Sequence, residues 1–306
     1  MKRQIINTGS RVTSNNGDRY RIIQFLGAGG NCQVYLAMAT QGEFQGVLFA
    51  IKFFLKSEDD DRLKQYRKET KFLIKTNHPA IMKMYSEGEY YYTPSSENIP
   101  FVIMDYFPDR LDHRLRNARL GLSEKLIVVL QLLSALQYLK SLNPQIVHRD
   151  IKPQNIFLKG YSCVLGDFGL MRDLVDDDRD DDGNFYKQSD GPGMPKFYRT
   201  PDLVKYAKKE ASLTTSTDVF QLGLVTAEMF TGRNPLKKCK TRLDDVILED
   251  LNSVRGQHGE LIKDLIEKML VEDPSYRSSI EDLLDGYDGV LREVTSKLIE
   301  IDGFAF

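Results

Sequence analysis

The chain has 306 residues, 41% hydrophobic and 28% charged, a composition that excludes wholesale disorder, collagen and a coiled-coil rod. Forty-four acidic residues against 42 basic ones leave a net charge of −2, so no global charge argument favours a nucleic-acid partner. Cys32, Cys163 and Cys239 are odd in number and far apart, which argues against a disulfide framework or a zinc cluster and suits a reducing cytoplasm. All three read as small buried hydrophobes.

Residues 1–17 are polar and lack the apolar core of a signal peptide, so they read as an N-terminal extension. Short β-branched and aromatic runs at 20–26, 34–37 and 47–54 then predict strands. The acidic stretch after Lys56 leads into a helix over 62–75, with Tyr66, Phe72 and Leu73 as its apolar anchors. Strand signals resume at 81–85, 89–92 and 101–104. Beyond Tyr106 the periodicity turns helical, over 123–142, 216–231, 242–252, 259–270 and 277–285. The most apolar stretch, 126–139, carries Gln131, Ser134 and Gln137 and is too short for a membrane span, so it reads as a buried helix. Strand-rich followed by helix-rich predicts an α+β chain in two lobes: a first lobe over 18–105, a second over 106–290, and a tail over 291–306. Residues 173–193 hold eight aspartates against Arg179 and Lys187, the pattern of a solvated loop.

Several short patterns carry chemistry. The run 27–34, Gly-Ala-Gly-Gly-Asn-Cys-Gln-Val, lies between two strand-like segments. Glycines there allow backbone N–H groups to approach phosphate oxygens, although a plain hairpin turn has the same composition. No Gly-Lys-Ser/Thr ending makes it a P-loop, and a strand rather than a helix follows, which excludes a Rossmann turn. Lys52 sits in an apolar strand, either as an ordinary edge-strand lysine or as a cation paired with a carboxylate, for which Glu69 is the candidate. The most specific signal is His148-Arg149-Asp150-Ile151-Lys152-Pro153-Gln154-Asn155, followed by Gly166-Asp167-Phe168-Gly169.

On these residues the chain resembles the eukaryotic-type (Hanks-type) serine/threonine protein kinase family over roughly 18–290. The resemblance implies the bilobal protein-kinase fold: a small antiparallel β-sheet lobe with one main helix, and a larger, mostly helical lobe. It implies ATP and Mg²⁺ as cofactors, with Mn²⁺ as an alternative, and transfer of the γ-phosphate to protein hydroxyls, including self-phosphorylation in trans. By the same likeness Asp150 is the catalytic base and Lys152 the γ-phosphate lysine. Lys52 contacts phosphates and Glu69 is its ion-pair partner, while Asn155 and Asp167 hold the metal. Leu26, Gly27, Ala28, Gly29, Gly30 and Val34 match the nucleotide-covering loop. Ala50, Met104, Asp105, Phe107 and Phe157 match the rest of the nucleotide site, with Met104 as gatekeeper.

Leu73, Met84, His148 and Phe168 match the family's buried spine, Asp218 the aspartate that ties down the catalytic loop, and Asp202 with Arg277 a structural ion pair. Two departures stand out: Cys32 replaces the usual third glycine, and the segment from Asp167 to Asp202 is long. With no threonine between Phe168 and Arg199, Ser189 is the hydroxyl nearest the family's phosphorylation position, and Asp190 is a built-in anion beside it. The competing readings are a pseudokinase scaffold and a small-molecule phosphotransferase of related fold. The first requires loss of Lys52, Asp150 or Asp167, none of which is lost. No membrane or nucleic-acid partner is expected.

Overall fold

The computed structural model describes residues 4–29, 31–55, 59–117, 120–174 and 195–302, with side chains up to 296. The chain divides into two compact units, Met1–Pro108 and Asp109–Phe306. Each is described by itself.

The small lobe is a six-stranded antiparallel sheet in the order β1-β2-β3-β4-β6-β5. Its strands are β1 (Arg11–Thr13), β2 (Arg19–Ala28), β3 (Cys32–Gln41), β4 (Leu48–Phe54), β5 (Met84–Tyr92) and β6 (Glu97–Asp105). Alternation along β2 to β6 places Tyr20, Tyr35, Phe49, Phe53 and Phe101 on one buried face. Their rings meet mostly edge-on, as in Tyr20–Phe49 at 5.7 Å and Tyr35–Phe53 at 5.6 Å. The polar segment before residue 18 contributes structure: β1 pairs with β2, and Ile6 and Val12 are buried. The two runs expected at 81–85 and 89–92 belong to one strand from Met84 onward. Gly88 between them marks close packing and not a turn, because a Cβ there would lie 2.4 Å from the Phe101 ring. The helix α1 (Asp60–Lys75) starts two residues earlier than its apolar pattern suggests. Asp59 caps it by accepting from the Arg62 N–H, and Asp60 and Asp61 sit in its first turn.

The large lobe is built on α3 (Leu122–Ser141), whose Leu126, Val129, Leu132, Leu133, Leu136 and Leu139 are buried. By length and composition α3 alone among the described helices is apolar enough to cross a membrane, but these residues form the centre of the lobe. Around it lie α2 (Leu111–Asn117), α4 (Pro201–Ala207), α5 (Ser216–Thr231), α6 (Gly259–Met269) and α7 (Ile280–Asp302). Two small antiparallel pieces complete it. One is β7 (Asp109–Arg110), β9 (Ile156–Lys159) and β10 (Ser162–Leu165); the other is β8 (Gln145–Val147) with β11 (Arg172–Leu174).

Three expectations change. Residues 242–252 are not helical. Lys240 and Thr241 donate their N–H groups to the Asp244 carboxylate, and Lys237 and Glu249 to the carbonyls of Ile247 and Pro235, which diverts the backbone from a helical ladder. The helix expected to end at 285 continues to Asp302. Of the three thiols, Cys163 is buried, its pKa pushed up to about 12 by burial, but Cys32 and Cys239 are only half-buried; none forms a disulfide. The last four residues lie outside the described residues, as does most of the acidic loop.

Candidate active site

In the small lobe, β4 lies between β3 and β6, so Lys52 is on an interior strand and not at an edge. It faces Val34 on β3 and Val102 on β6. Its Nζ is 3.3 Å from Glu69 Oε1 on the buried face of α1, with side chains 15% and 5% exposed. That burial strengthens the pair relative to one in water. One rung along, Ala50 pairs with Met104. Asp105 donates its N–H to the Lys83 carbonyl at 3.1 Å and accepts the Tyr85 hydroxyl on Oδ1 at 2.8 Å. Phe107 is half-buried at the end of the unit.

The hairpin of β2 and β3 carries Leu26, Gly27, Ala28 and Val34, with Gly27 opposite Val34. Gly29 donates to the Cys32 carbonyl at 2.9 Å, closing the turn; Gly30 is outside the described residues. A Cβ at Gly27 or Gly29 would meet nothing within 4 Å, so their backbone faces open space. Arg62 Nη1 donates to Asn31 Oδ1 at 2.8 Å, tying this turn to α1.

In the large lobe, Asp150, Lys152 and Asn155 converge within one short loop. Lys152 Nζ lies 2.9 Å and 2.7 Å from the two Asp150 carboxylate oxygens. Asn155 Nδ2 donates to the Asp150 carbonyl and to Oδ2, both at 2.8 Å. The amide nitrogen is thereby committed, and Asn155 Oδ1 is the atom free to ligate. Burial pushes the Asp150 carboxyl up to about 6, with Lys152 pulling the other way. A carboxylate so placed is a stronger base than one in water. Asp167 is exposed between buried Gly166 and Phe168, with a left-handed backbone at φ 58°. Aspartate tolerates that region better than most side chains. Asn155 Oδ1 and the Asp167 carboxylate are hard oxygen donors and fit a divalent cation such as Mg²⁺, which keeps several waters of its own. Phe157 is half-buried on β9 opposite Val164.

What shapes this loop is largely backbone capture by α5. Asp218, 2% exposed, accepts the N–H of His148 at 2.7 Å and of Arg149 at 2.9 Å. Burial pushes its carboxyl up to about 7 against the pull of those donors. Gln221, one turn along, accepts from Ile151 N and donates to the carbonyls of Arg149 and Tyr198, each at 2.9 Å. Sequence reasoning missed Gln221. Its spacing three residues after Asp218, on the same helix face, was the available signal. Together these side chains hold Arg149 at φ 68°, a conformation that costs a non-glycine residue energy.

His148 is fully buried, its ring 4.4 Å edge-on to Phe168. Nδ1 accepts from Asp150 N at 3.2 Å, so Nε2 carries the proton and donates to the Gly166 carbonyl at 3.1 Å. Burial lowers its pKa to about 4. Between about pH 6.5 and pH 4 the unfolded chain takes up a proton that the folded chain refuses. The contribution of neutral His148 is therefore complete above that window and is lost on acidification through it, by up to about 3 kcal/mol. Urea unfolding at about pH 7 and about pH 5 checks this by difference: the raised Asp150 and Asp218 carboxyls act in the opposite sense in both proteins, so the stability of wild type relative to His148→Phe should fall on acidification. Of the other histidines, His113 is exposed, His78 accepts from Ala80 N, and His258 is less exposed than expected, 3.2 Å from Glu293.

The expected pair of Asp202 and Arg277 is formed. Arg277 Nη1 reaches Asp202 Oδ2 at 3.0 Å, with side chains 0% and 5% exposed, so the shorter acid has not opened it. The protein kinase domain family matches residues 20–286.

The chain belongs to the protein kinase domain family.

Its curated relatives agree. A probable serine/threonine-protein kinase PknB of Bifidobacterium longum is 31% identical over 74% of this chain and 32% of its own length. Mouse serine/threonine-protein kinase tousled-like 2 is 28% identical over 74% and 32%. A probable serine/threonine-protein kinase of Streptomyces coelicolor is 30% identical over 72% and 31%. The aligned part of this kinase domain thus spans about a third of the length of each.

Proposed function

We propose that the chain is an active serine/threonine protein kinase that transfers the γ-phosphate of ATP to protein hydroxyls. The observation that carries this is the Asp150–Lys152–Asn155 cluster, whose carboxylate is buried, bonded to an ammonium and an amide, and raised toward neutrality. In this reading Asp150 accepts the proton of the substrate hydroxyl, and Lys152 neutralises charge growing on the transferred group. Lys52, held by Glu69, meets the nucleotide phosphates, and the 26–34 hairpin covers them. Ala50, Met104, Asp105 and Phe107 in the small lobe, and Phe157 in the large lobe, are the positions that the family resemblance assigns to the adenine. Mg²⁺, held by Asn155 and Asp167, offsets phosphate charge when bound; Mn²⁺ is the alternative. The three free thiols suit a cytoplasmic setting, net charge −2 gives this chain no general attraction for nucleic acid, and α3, packed in the lobe core, is read as a core helix.

Self-phosphorylation in trans belongs to the same reading. Arg149, 6% exposed beside the base, donates Nε–H to the Leu170 carbonyl. A phosphate supplies a guanidinium with three further acceptors, and Ser189, outside the described residues, is the hydroxyl we assign to it.

Intact-mass measurement and peptide mapping after incubation with ATP and Mg²⁺, using a generic protein substrate, test both. Wild type should add phosphate to the substrate and to Ser189. Asp150→Asn should slow transfer at least ~100-fold while holding ATP affinity within about threefold, because the base meets the hydroxyl and not the nucleotide. ATP binding without transfer by wild type, or transfer to small metabolites alone, overturns the proposal.

A further inference from the structure

Away from the candidate active site, the large lobe carries a cavity of about 450 Å³ lined in part by the irregular 237–247 segment, whose latter half falls within the helix expected over 242–252. Arg199, Lys208, Lys237 and Lys238 line it together with Leu243 and Ile247. Arg199 is only 2% exposed, yet its guanidinium donates to three carbonyl oxygens, of Lys196, Asp244 and Asp245, at 3.0–3.4 Å. No carboxylate among the described residues forms an ion pair with it. The two acids at the rim are occupied. Asp244 accepts from Lys240 N, Thr241 N and the Thr241 hydroxyl, and Asp245 pairs with Lys208 at 3.3 Å. Lys237 and Lys238 are exposed, and neither has an ion-pair partner among the described residues. Arg199 interacts with the Asp244 carboxylate only through space, that carboxylate is committed to Lys240 and Thr241, and two ammonium groups without ion pairs lie beside it; the excess of positive charge favours an anionic ligand. Leu243 and Ile247 are 43% and 52% exposed, and apolar surface beside cations suits a polypeptide better than a phosphate backbone.

We propose that this cavity docks an acidic segment of a partner polypeptide, with Asp or Glu carboxylates on Arg199, Lys237 and Lys238 and an aliphatic side chain against Leu243 and Ile247. Charge complementarity selects the partner and apolar contact fixes its register. The inference rests on the cavity and not on phosphoryl transfer.

Fluorescence anisotropy of a labelled Asp-Asp-Leu-Asp-Asp-Ile-Asp-Asp peptide tests it, with the corresponding lysine peptide and inorganic phosphate as comparison probes. The acidic peptide should bind the full chain and the lysine peptide should not. Lys237→Glu with Lys238→Glu should weaken binding at least ~10-fold, and raising salt from about 50 to about 500 mM should do likewise. Leu243→Ser should weaken it about threefold or more without changing the salt dependence. Lys64→Glu with Lys71→Glu, the same charge change on α1, should leave it within about twofold. Lys238→Ala serves if the double reversal fails to fold. Equal loss in both charge-reversed pairs, equal binding of the lysine peptide, or capture of inorganic phosphate with no peptide binding overturns the proposal. So does self-association that the double reversal abolishes, if no peptide binds, because the occupant is then a second copy. Binding is read without ATP, so a chain that fails to transfer phosphate still decides this question.

Discussion

Lys52→Ala and Asp167→Asn each lower phosphoryl transfer at least ~100-fold, because each removes preorganised charge worth about 3 kcal/mol in the transition state. The two test opposite signs of the same field. Lys52 is an interior-strand ammonium 3.3 Å from Glu69, so its loss also leaves a carboxylate that is only 5% exposed without that partner. Asp167 is exposed and sits at φ 58°, where asparagine is tolerated about as well as aspartate, so Asp167→Asn removes charge while sparing the backbone. Single-turnover transfer measured beside circular dichroism separates chemistry from folding. Near-normal turnover in either variant defeats the active-kinase reading.

The second large effect concerns stability. Arg277→Met should lower the stability of the large lobe by about 3–5 kcal/mol, since breaking a buried pair leaves an uncompensated charge. Besides Asp202, Arg277 donates to the carbonyls of Ser216 at 2.6 Å, Val271 at 3.0 Å and Glu272 at 3.1 Å, and it lies over the Phe220 ring at 5.1 Å. Methionine fills the space and satisfies none of these acceptors. At about 2–4 °C per kcal/mol, a melting temperature lower by roughly 10 °C is expected in scanning calorimetry. An unchanged melting point means that the chain ends joined here, α4, the start of α5 and the 271–277 turn, are held by packing alone.

Much of the site was legible because it is short and local. Asp150, Lys152 and Asn155 fall within six residues, and chemistry of that kind leaves a compact pattern. Lys52 with Glu69 was readable as an ion pair; its interior position needed the strand order, which pairs β4 with a strand fifty residues away. Gln221 was only faintly legible: its place three residues after Asp218 puts it on the same helix face, but its role is to hold backbone seventy positions earlier, which its own neighbours in sequence do not announce. The 242–252 error has a different cause. Leu243, Val246 and Ile247 have helical spacing, but two of the three face solvent, so no core rewards that pattern, and Asp244 captures the amides a helix would have to release. The strand at 11–13 was missed because a three-residue edge strand is held by its neighbour and not by its own propensity.

The capture of His148, Arg149 and Ile151 by Asp218 and Gln221 has a consequence for how the molecule comes into being. The loop leaves the ribosome about seventy residues before the helix that shapes it. A nascent chain ending before residue 216 already contains Asp150, Lys152 and Asn155, yet lacks the Asp218 and Gln221 side chains that capture the backbone of Arg149 in its left-handed conformation. Competence therefore switches on late in synthesis, when α5 docks, and an incomplete chain released early carries the catalytic residues without the means to align them.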